Sequence, residues 1–211
     1  MENTGWAESP AHARALWTKV DEICADEPHL SVSAFVDHAE ASRHFRRHGG
    51  REGDCFGGGR GRFRVTEVAQ QRHGCQPTSN FNLVGAAQVG KSSLSGMRLL
   101  HRLPPSLSVW PIDPLPERGS IVVEIYTTLA AMAASRSASR SKMRSHADLD
   151  AALGTLGCAP LGGSGAIDDH QSDALVTAAW LRSAALRPEL WTPEGMTAEI
   201  ARTEGWTFGV P

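Results

Sequence analysis

The run Ile121-Val122-Val123-Glu124-Ile125-Tyr126 does most to limit what this 211-residue chain can fold into. A continuous β-branched run suits a strand covered on both faces, as in sheets flanked by helices. A second strand candidate spans 107–112, where Pro111 confines it to a sheet edge or a strand end. Helical patterns fill much of the remainder. Ser9 as cap and Pro10 at the first helical position open a helix with Leu16, Val20, Ile23 and Cys24 in register. Phe35, Val36, Ala39 and Phe45 predict a second over 33–45. A third, over 94–103, ends at Pro104 and Pro105. A fourth begins at 127–134 and runs into a Ser/Arg-rich stretch. Ser145 with Asp148 forms a capping-box-like start for a helix bearing Leu149, Leu153 and Leu156, stopped by Gly157. A long helix is expected over 169–186, apolar almost all round and therefore buried. Thr192-Pro193-Glu194 opens the last, which ends near Gly205. The class read from this pattern is α/β, with a mixed sheet flanked by helices.

Between Arg43 and Arg64 the pattern changes. Seven arginines lie among seven glycines, a composition expected to bury little and to form a flexible loop. The organisation expected is a helical segment over 1–42, the Arg/Gly-rich loop over 43–76 and the main domain over 77–211. Phosphate contacts by these arginines, or by Arg136, Arg140, Lys142 and Arg144, need no specific pattern, and Phe56 and Phe63 are candidates to stack on bases. The net charge of −2 gives the chain no global pull toward nucleic acid or membrane. Cys24, Cys55, Cys75 and Cys158 form no C-x-x-C pair, which argues against structural zinc and a disulfide framework. With no signal-peptide pattern and no apolar run of membrane length, a cytoplasmic location is expected.

Two segments bear candidate chemistry. Gly85-Ala86-Ala87-Gln88-Val89-Gly90-Lys91-Ser92 satisfies G-x-x-x-x-G-K-[ST], the pattern whose amides, lysine and hydroxyl cradle phosphates and magnesium. A phosphate loop should follow a buried strand, yet Ser79-Asn80-Phe81-Asn82-Leu83-Val84 is half polar. Its magnesium-holding partner should end a hydrophobic strand, and the one candidate, Asp113, follows a proline. The preferred reading is a glycine-containing helix start or turn.

Asp168-Asp169-His170-Gln171-Ser172-Asp173 is the second segment. Asp169 and Asp173 share a helix face, and His170 and Asp173 are three apart. Helix capping accounts for Asp168 or Asp169 but not for Asp173, a full turn inside. Glu124 lies within the apolar strand, where a buried carboxylate must be protonated, salt-bridged or metal-bound. Glu124, Asp169 and Asp173, with His170 as accessory ligand or proton carrier, make a hard-oxygen set suited to Mg²⁺ or Mn²⁺. Two such ions activate water and stabilise the leaving oxygen in phosphodiester hydrolysis.

The motifs IVVEIYTTL over 121–129, DDHQSDALVTAAWL over 168–181 and EGWTFGV over 204–210 resemble those of the domain of unknown function 429 family. The resemblance extends to VGAAQVG and Ser95-Gly96-Met97, a stretch in which that family does not require the lysine of the apparent phosphate loop. H-x-x-D-A-L is also similar to the last catalytic motif of Holliday-junction resolvases. The resemblance covers roughly residues 45–210 and implies an RNase H-like fold, here partial, with nuclease activity and nucleic acid as partner. It also implies departures. The family's opening hairpin with its aspartate, and a further acidic strand, have no counterpart here, and Thr127 replaces the proline usual after E-x-Y. The expectation is a metal-dependent nuclease relative, truncated or inactive, with Glu124, Asp169 and Asp173 catalytic. A nucleotide-binding protein using Gly85 to Ser92 and a non-catalytic nucleic-acid-binding module are its rivals. Sheet edges left without partners would favour a homodimer.

Overall fold

The computed structural model describes residues 10–85, 89–138 and 142–211. It is a mixture of helices and a small parallel sheet, arranged as two units that interleave along the chain. One comprises residues 1–68, 77–123 and 197–206. The other comprises 69–76, 124–196 and 207–211.

In the first unit, α1 (Ala13–Ile23) places Ala13, Trp17 and Val20 on one buried stripe. Its cap is His12, whose ring nitrogen accepts the Ala15 amide at 3.2 Å; the expected cap, Ser9, lies outside the described residues. The helix expected over 33–45 is broken. It becomes α2 (Ser33–Asp37), started by the Glu27 carboxylate on the Ser33 and Ala34 amides, and a 3₁₀ turn at Ala41–His44. The reason is tertiary. A continuous helix would hold Phe35 and Phe45 about 15 Å apart along its axis, whereas the break brings their rings to 6.4 Å in one core. Val20, Cys24, Val32, Val36, Leu83 and Leu94 complete that core.

α4 (Gly90–His101) packs on α1. Asp21 of α1 receives Arg98 at 2.8 Å and Arg102 at 2.7 Å. Arg98 is buried and also donates to the Ser31 carbonyl at 2.6 Å. Burial raises the Asp21 carboxyl, but the bonds from Arg102 and Arg98 outweigh it and leave the group below the usual carboxylate range. The sheet pairs β1 (Ser108–Trp110) with β2 (Ile121–Val123) in parallel, Val109 opposite Val122. Pro111 follows β1, as its sequence position implied. Ile121, Val122 and Val123 are only half-buried, so the strand covered on both faces is not formed. The next residue of the run, Glu124, makes an isolated bridge to Thr207.

The Arg/Gly segment differs from expectation in burying Phe45 and Phe56 completely or nearly so. Its arginines are largely occupied. Arg43 meets Asp54 and Glu40, Arg46 meets Glu52, Arg47 meets Asp37, and Arg64 meets Glu67. Arg46 also lies over the Phe56 ring at 4.8 Å, so Phe56 has no face left for a base.

In the second unit, α5 (Thr127–Ala133) and α6 (His146–Thr155) both pack on α7 (Asp169–Ala184). The expected Ser145 cap is present: its Oγ accepts the Asp148 amide at 3.2 Å and donates to the Asp148 carboxylate at 2.8 Å, in place of the backbone bond that would complete a capping box. α7 is not buried all round. Ser172, Val176, Thr177, Ala179, Trp180 and Ala184 face inward, while Ala174, Ala178 and Leu186, just beyond its end, are exposed. Alanine carries too little apolar surface to require burial, which is why the composition misled. The C-terminal tail closes this unit. The Phe208 ring lies 4.5 Å from Trp191 and 6.0 Å from Trp180. Gly209, at φ +91, sits where a Cβ would stand 2.4 Å from the Trp180 ring. The remaining helices are α3 (Val65–Arg72) and α8 (Ala198–Thr203). No helix among the described residues is long and apolar enough to cross a membrane.

Candidate functional site

All four residues of the expected hard-oxygen set lie in the second unit, and each has its own surroundings. Asp168 caps α7, accepting the Gln171 amide at 2.9 Å. That cap places Asp169 and His170 in the first turn, where a carboxylate complements the helix dipole. Asp169 Oδ1 lies 3.9 Å from Arg144 Nε, a loose pair between largely exposed groups. His170 is exposed.

Asp173 sits a turn deeper and is held from two sides. Its Oδ2 accepts Lys142 Nζ at 2.7 Å and the Thr127 hydroxyl at 3.2 Å. Thr127 is the first residue of α5, and α5 against α7 is the main helix contact of this unit, so the packing fixes that donor. The ammonium is 46% exposed on its side chain and the carboxylate 21%. The pair is therefore partly screened by water and contributes little net stability.

Glu124 corrects the sequence reading in two ways. It is exposed, and a threonine hydroxyl bonds its carboxylate. Thr207 Oγ1 donates to Glu124 Oε1 at 2.7 Å, and the buried Gln70 amide donates to the same Thr207 oxygen at 3.0 Å. The Phe208 amide donates to the Glu124 carbonyl at 2.8 Å, so the tail fixes the backbone at Glu124 as well.

The structure brings Asp173 to Lys142 and Thr127, and Glu124 to Thr207. Among the described residues, no group of three or more His, Cys, Asp or Glu side chains is arranged to hold a metal ion. Asp173 already has its charge balanced by an ammonium within contact distance. A divalent ion there would have to displace Lys142, so the residues present do not fit a Mg²⁺ or Mn²⁺ centre in this arrangement. Lys142, Thr127, Thr207 and Gln70 are the partners that sequence reasoning missed. The one available signal was Thr127, a hydroxyl where the resembled motif has proline.

The phosphate-loop motif belongs to the first unit, and Ala86, Ala87 and Gln88 lie outside the described residues. Among the described residues no strand leads into it; Asn82 makes an isolated bridge to Arg46. Gly90 is buried, and a Cβ there would stand 2.4 Å from the Asn80 carbonyl oxygen and 2.5 Å from Leu83. Its amide, a group a phosphate cradle would use, donates to the Asn82 carbonyl at 3.2 Å. Asp113 receives Arg14 Nε at 2.7 Å and the Val109 amide at 2.8 Å. The arginine bond holds the Asp113 carboxyl below the usual range despite the opposing effect of burial. The glycine serves packing, and the aspartate anchors α1.

No family model, curated protein or solved structure matches this chain.

Proposed function

We propose that this chain is a non-hydrolytic, nucleic-acid-binding relative of the RNase H-like nucleases of the domain of unknown function 429 family. Metal-dependent phosphodiester hydrolysis is then the ancestral chemistry. One observation carries the reading: Asp173, the carboxylate that capping leaves unexplained, is positioned by Lys142 and Thr127 and neutralised by the former. The position of a metal-binding aspartate is kept, while an internal cation stands beside it. Glu124 supports the same view, because a buried amide and a buried hydroxyl in series orient a carboxylate that faces solvent. Such a chain of donors is a costly way to hold a surface glutamate of no consequence.

Calorimetric titration of Mg²⁺ and Mn²⁺ into the wild type and the Asp173→Asn variant tests this. The expected result is no binding at millimolar metal in either protein, and no cleavage of single-stranded, duplex or junction DNA. Metal binding that vanishes in Asp173→Asn would overturn the non-hydrolytic reading and restore Glu124, Asp169 and Asp173 as a working centre. The nucleotide-binding rival has its own check, since Lys91→Ala would then abolish binding of ATP with magnesium.

A further inference from the structure

The Arg/Gly segment is not uniformly occupied. Arg43, Arg46, Arg47 and Arg64 each meet a carboxylate, but Arg51, Arg60 and Arg62 have none within ion-pair distance among the described residues. All three are exposed. Each is nonetheless tethered. Arg51 Nε donates to the His48 carbonyl at 3.4 Å, Arg60 to the Pro77 carbonyl at 2.8 Å, and Arg62 meets His44 Nδ1 at 2.7 Å. Arg60 stands over Phe63 at 5.4 Å and Arg62 over Phe81 at 4.8 Å.

These arginines are brought near one another by the fold. Arg46 and Glu52 pair across a short hairpin whose tip holds His48 to Arg51. The same Arg46 guanidinium donates to the Gly59 carbonyl at 2.5 Å, tying that hairpin to the turn just before Arg60. Gly61 is seated on the Phe56 ring, where a Cβ would stand 2.7 Å away, so Arg60 and Arg62 flank a backbone fixed on a buried aromatic. Gly58 and Gly59 are exposed, at φ +69 and +52, and nothing lies within 4 Å of where a Cβ would project.

We infer that Arg51, Arg60 and Arg62, with the open Gly58–Gly59 turn between them, form a surface that binds the phosphodiester backbone of nucleic acid. This names the binding surface of the function proposed above and rests on that reading. A guanidinium whose face is covered by a ring keeps its edge donors free for a bidentate phosphate contact. Tethering lowers the side-chain entropy lost when the contact forms. Glycine removes the side chains that would hold a bulky strand away. With the other four arginines in internal ion pairs, these three leave the surface positive locally although the chain carries a net charge of −2.

The test is fluorescence anisotropy with labelled single-stranded and duplex DNA, in EDTA so that hydrolysis plays no part, across ~20 to 200 mM salt. Three phosphate contacts predict a slope of log K against log salt of roughly −2 for single strands and about −2.7 for duplex. The R51Q/R60Q/R62Q variant should lose most binding and flatten the slope. R51Q alone changes a hairpin tip with no ring packed on it, and should reduce the slope by about one third without altering the melting temperature. An R136Q/R144Q variant should bind as wild type does. Wild-type binding that survives the triple substitution with its slope intact overturns the assignment of this surface while leaving the proposed function standing. Absence of salt-dependent binding to either DNA by the wild type overturns both. Equal binding to anionic phospholipid vesicles, lost in the same variant, would overturn the choice of nucleic acid as the partner.

Discussion

Asp173 and Asp113 are carboxylates of similar exposure whose partners give them different physical roles. Asp113 joins α1 to β1 through Arg14 and the Val109 amide, and its carboxyl titrates below the usual range. A group whose folded pKa is depressed contributes stability that is present above its unfolded pKa, near 4, and is lost as pH falls through the lower folded value. Asp113→Asn should therefore lower stability at neutral pH, and the gap from wild type should close as pH drops below about 4. Urea denaturation across pH 2.5 to 7 measures this, and a gap constant over that range would refute it. Arg14 holds Asp113 with two guanidinium nitrogens, whereas Lys142 gives Asp173 a single ammonium contact, so that pair should be weaker. A double-mutant cycle with Lys142→Met and Asp173→Asn should return a coupling of under about 1 kcal/mol. A larger value would mean that the pair is a structural element in its own right.

At the scale of elements, short-range chemistry was legible and long-range partnership was not. Ser145 and Asp148 are three residues apart, so the cap that starts α6 can be read from the chain, and so can the Asp168 cap of α7. Removing the first with Ser145→Ala should cost about 1 kcal/mol, measured by chemical denaturation. The break between α2 and the turn at Ala41–His44 is invisible locally, because it is set by where Phe45 must go to meet Phe35. Glu124 was expected to be buried because its neighbours in sequence are apolar. Its exposure follows from a sheet of two strands, a property no single segment encodes. Lys142 reaches Asp173 across 31 residues and Thr207 reaches Glu124 across 83, so the surroundings of both site carboxylates lay beyond local reading. The glycine-lysine motif separates the two kinds of information most sharply. Gly90→Ala should destabilise by roughly 1–3 kcal/mol, since its methyl group meets the Asn80 carbonyl and Leu83. Lys91→Ala, on the exposed first turn of α4, should change neither melting temperature nor ATP binding. A reversed pattern, with Lys91 mattering for ATP and Gly90 tolerant, would return the motif to a phosphate-binding role.

At the scale of the whole molecule, each unit closes on aromatic residues of its own. Phe35, Phe45 and Phe81 serve the first. Trp180, Trp191 and Phe208 serve the second, with Gly209 allowing the tail to lie against the Trp180 ring. Phe208 follows residues 197–206 of the first unit, so the second unit depends on a segment that returns to it after the chain has traversed them. The residue before it, Thr207, holds the Glu124 carboxylate, which couples completion of the second core to the candidate site. Truncating a buried aromatic ring costs about 3–5 kcal/mol, a large share of the 5–15 kcal/mol that stabilises an ordinary domain. Phe208→Ala should therefore disorder the second unit while the first retains its packing. Fluorotryptophan labelling with ¹⁹F NMR reads this directly. The Trp180 and Trp191 resonances should broaden or move to the unfolded position, while those of Trp17 and Trp110 stay in place. Simultaneous loss of all four would show that the two cores form one cooperative unit. Unchanged Trp180 and Trp191 signals would remove Phe208 from the core altogether.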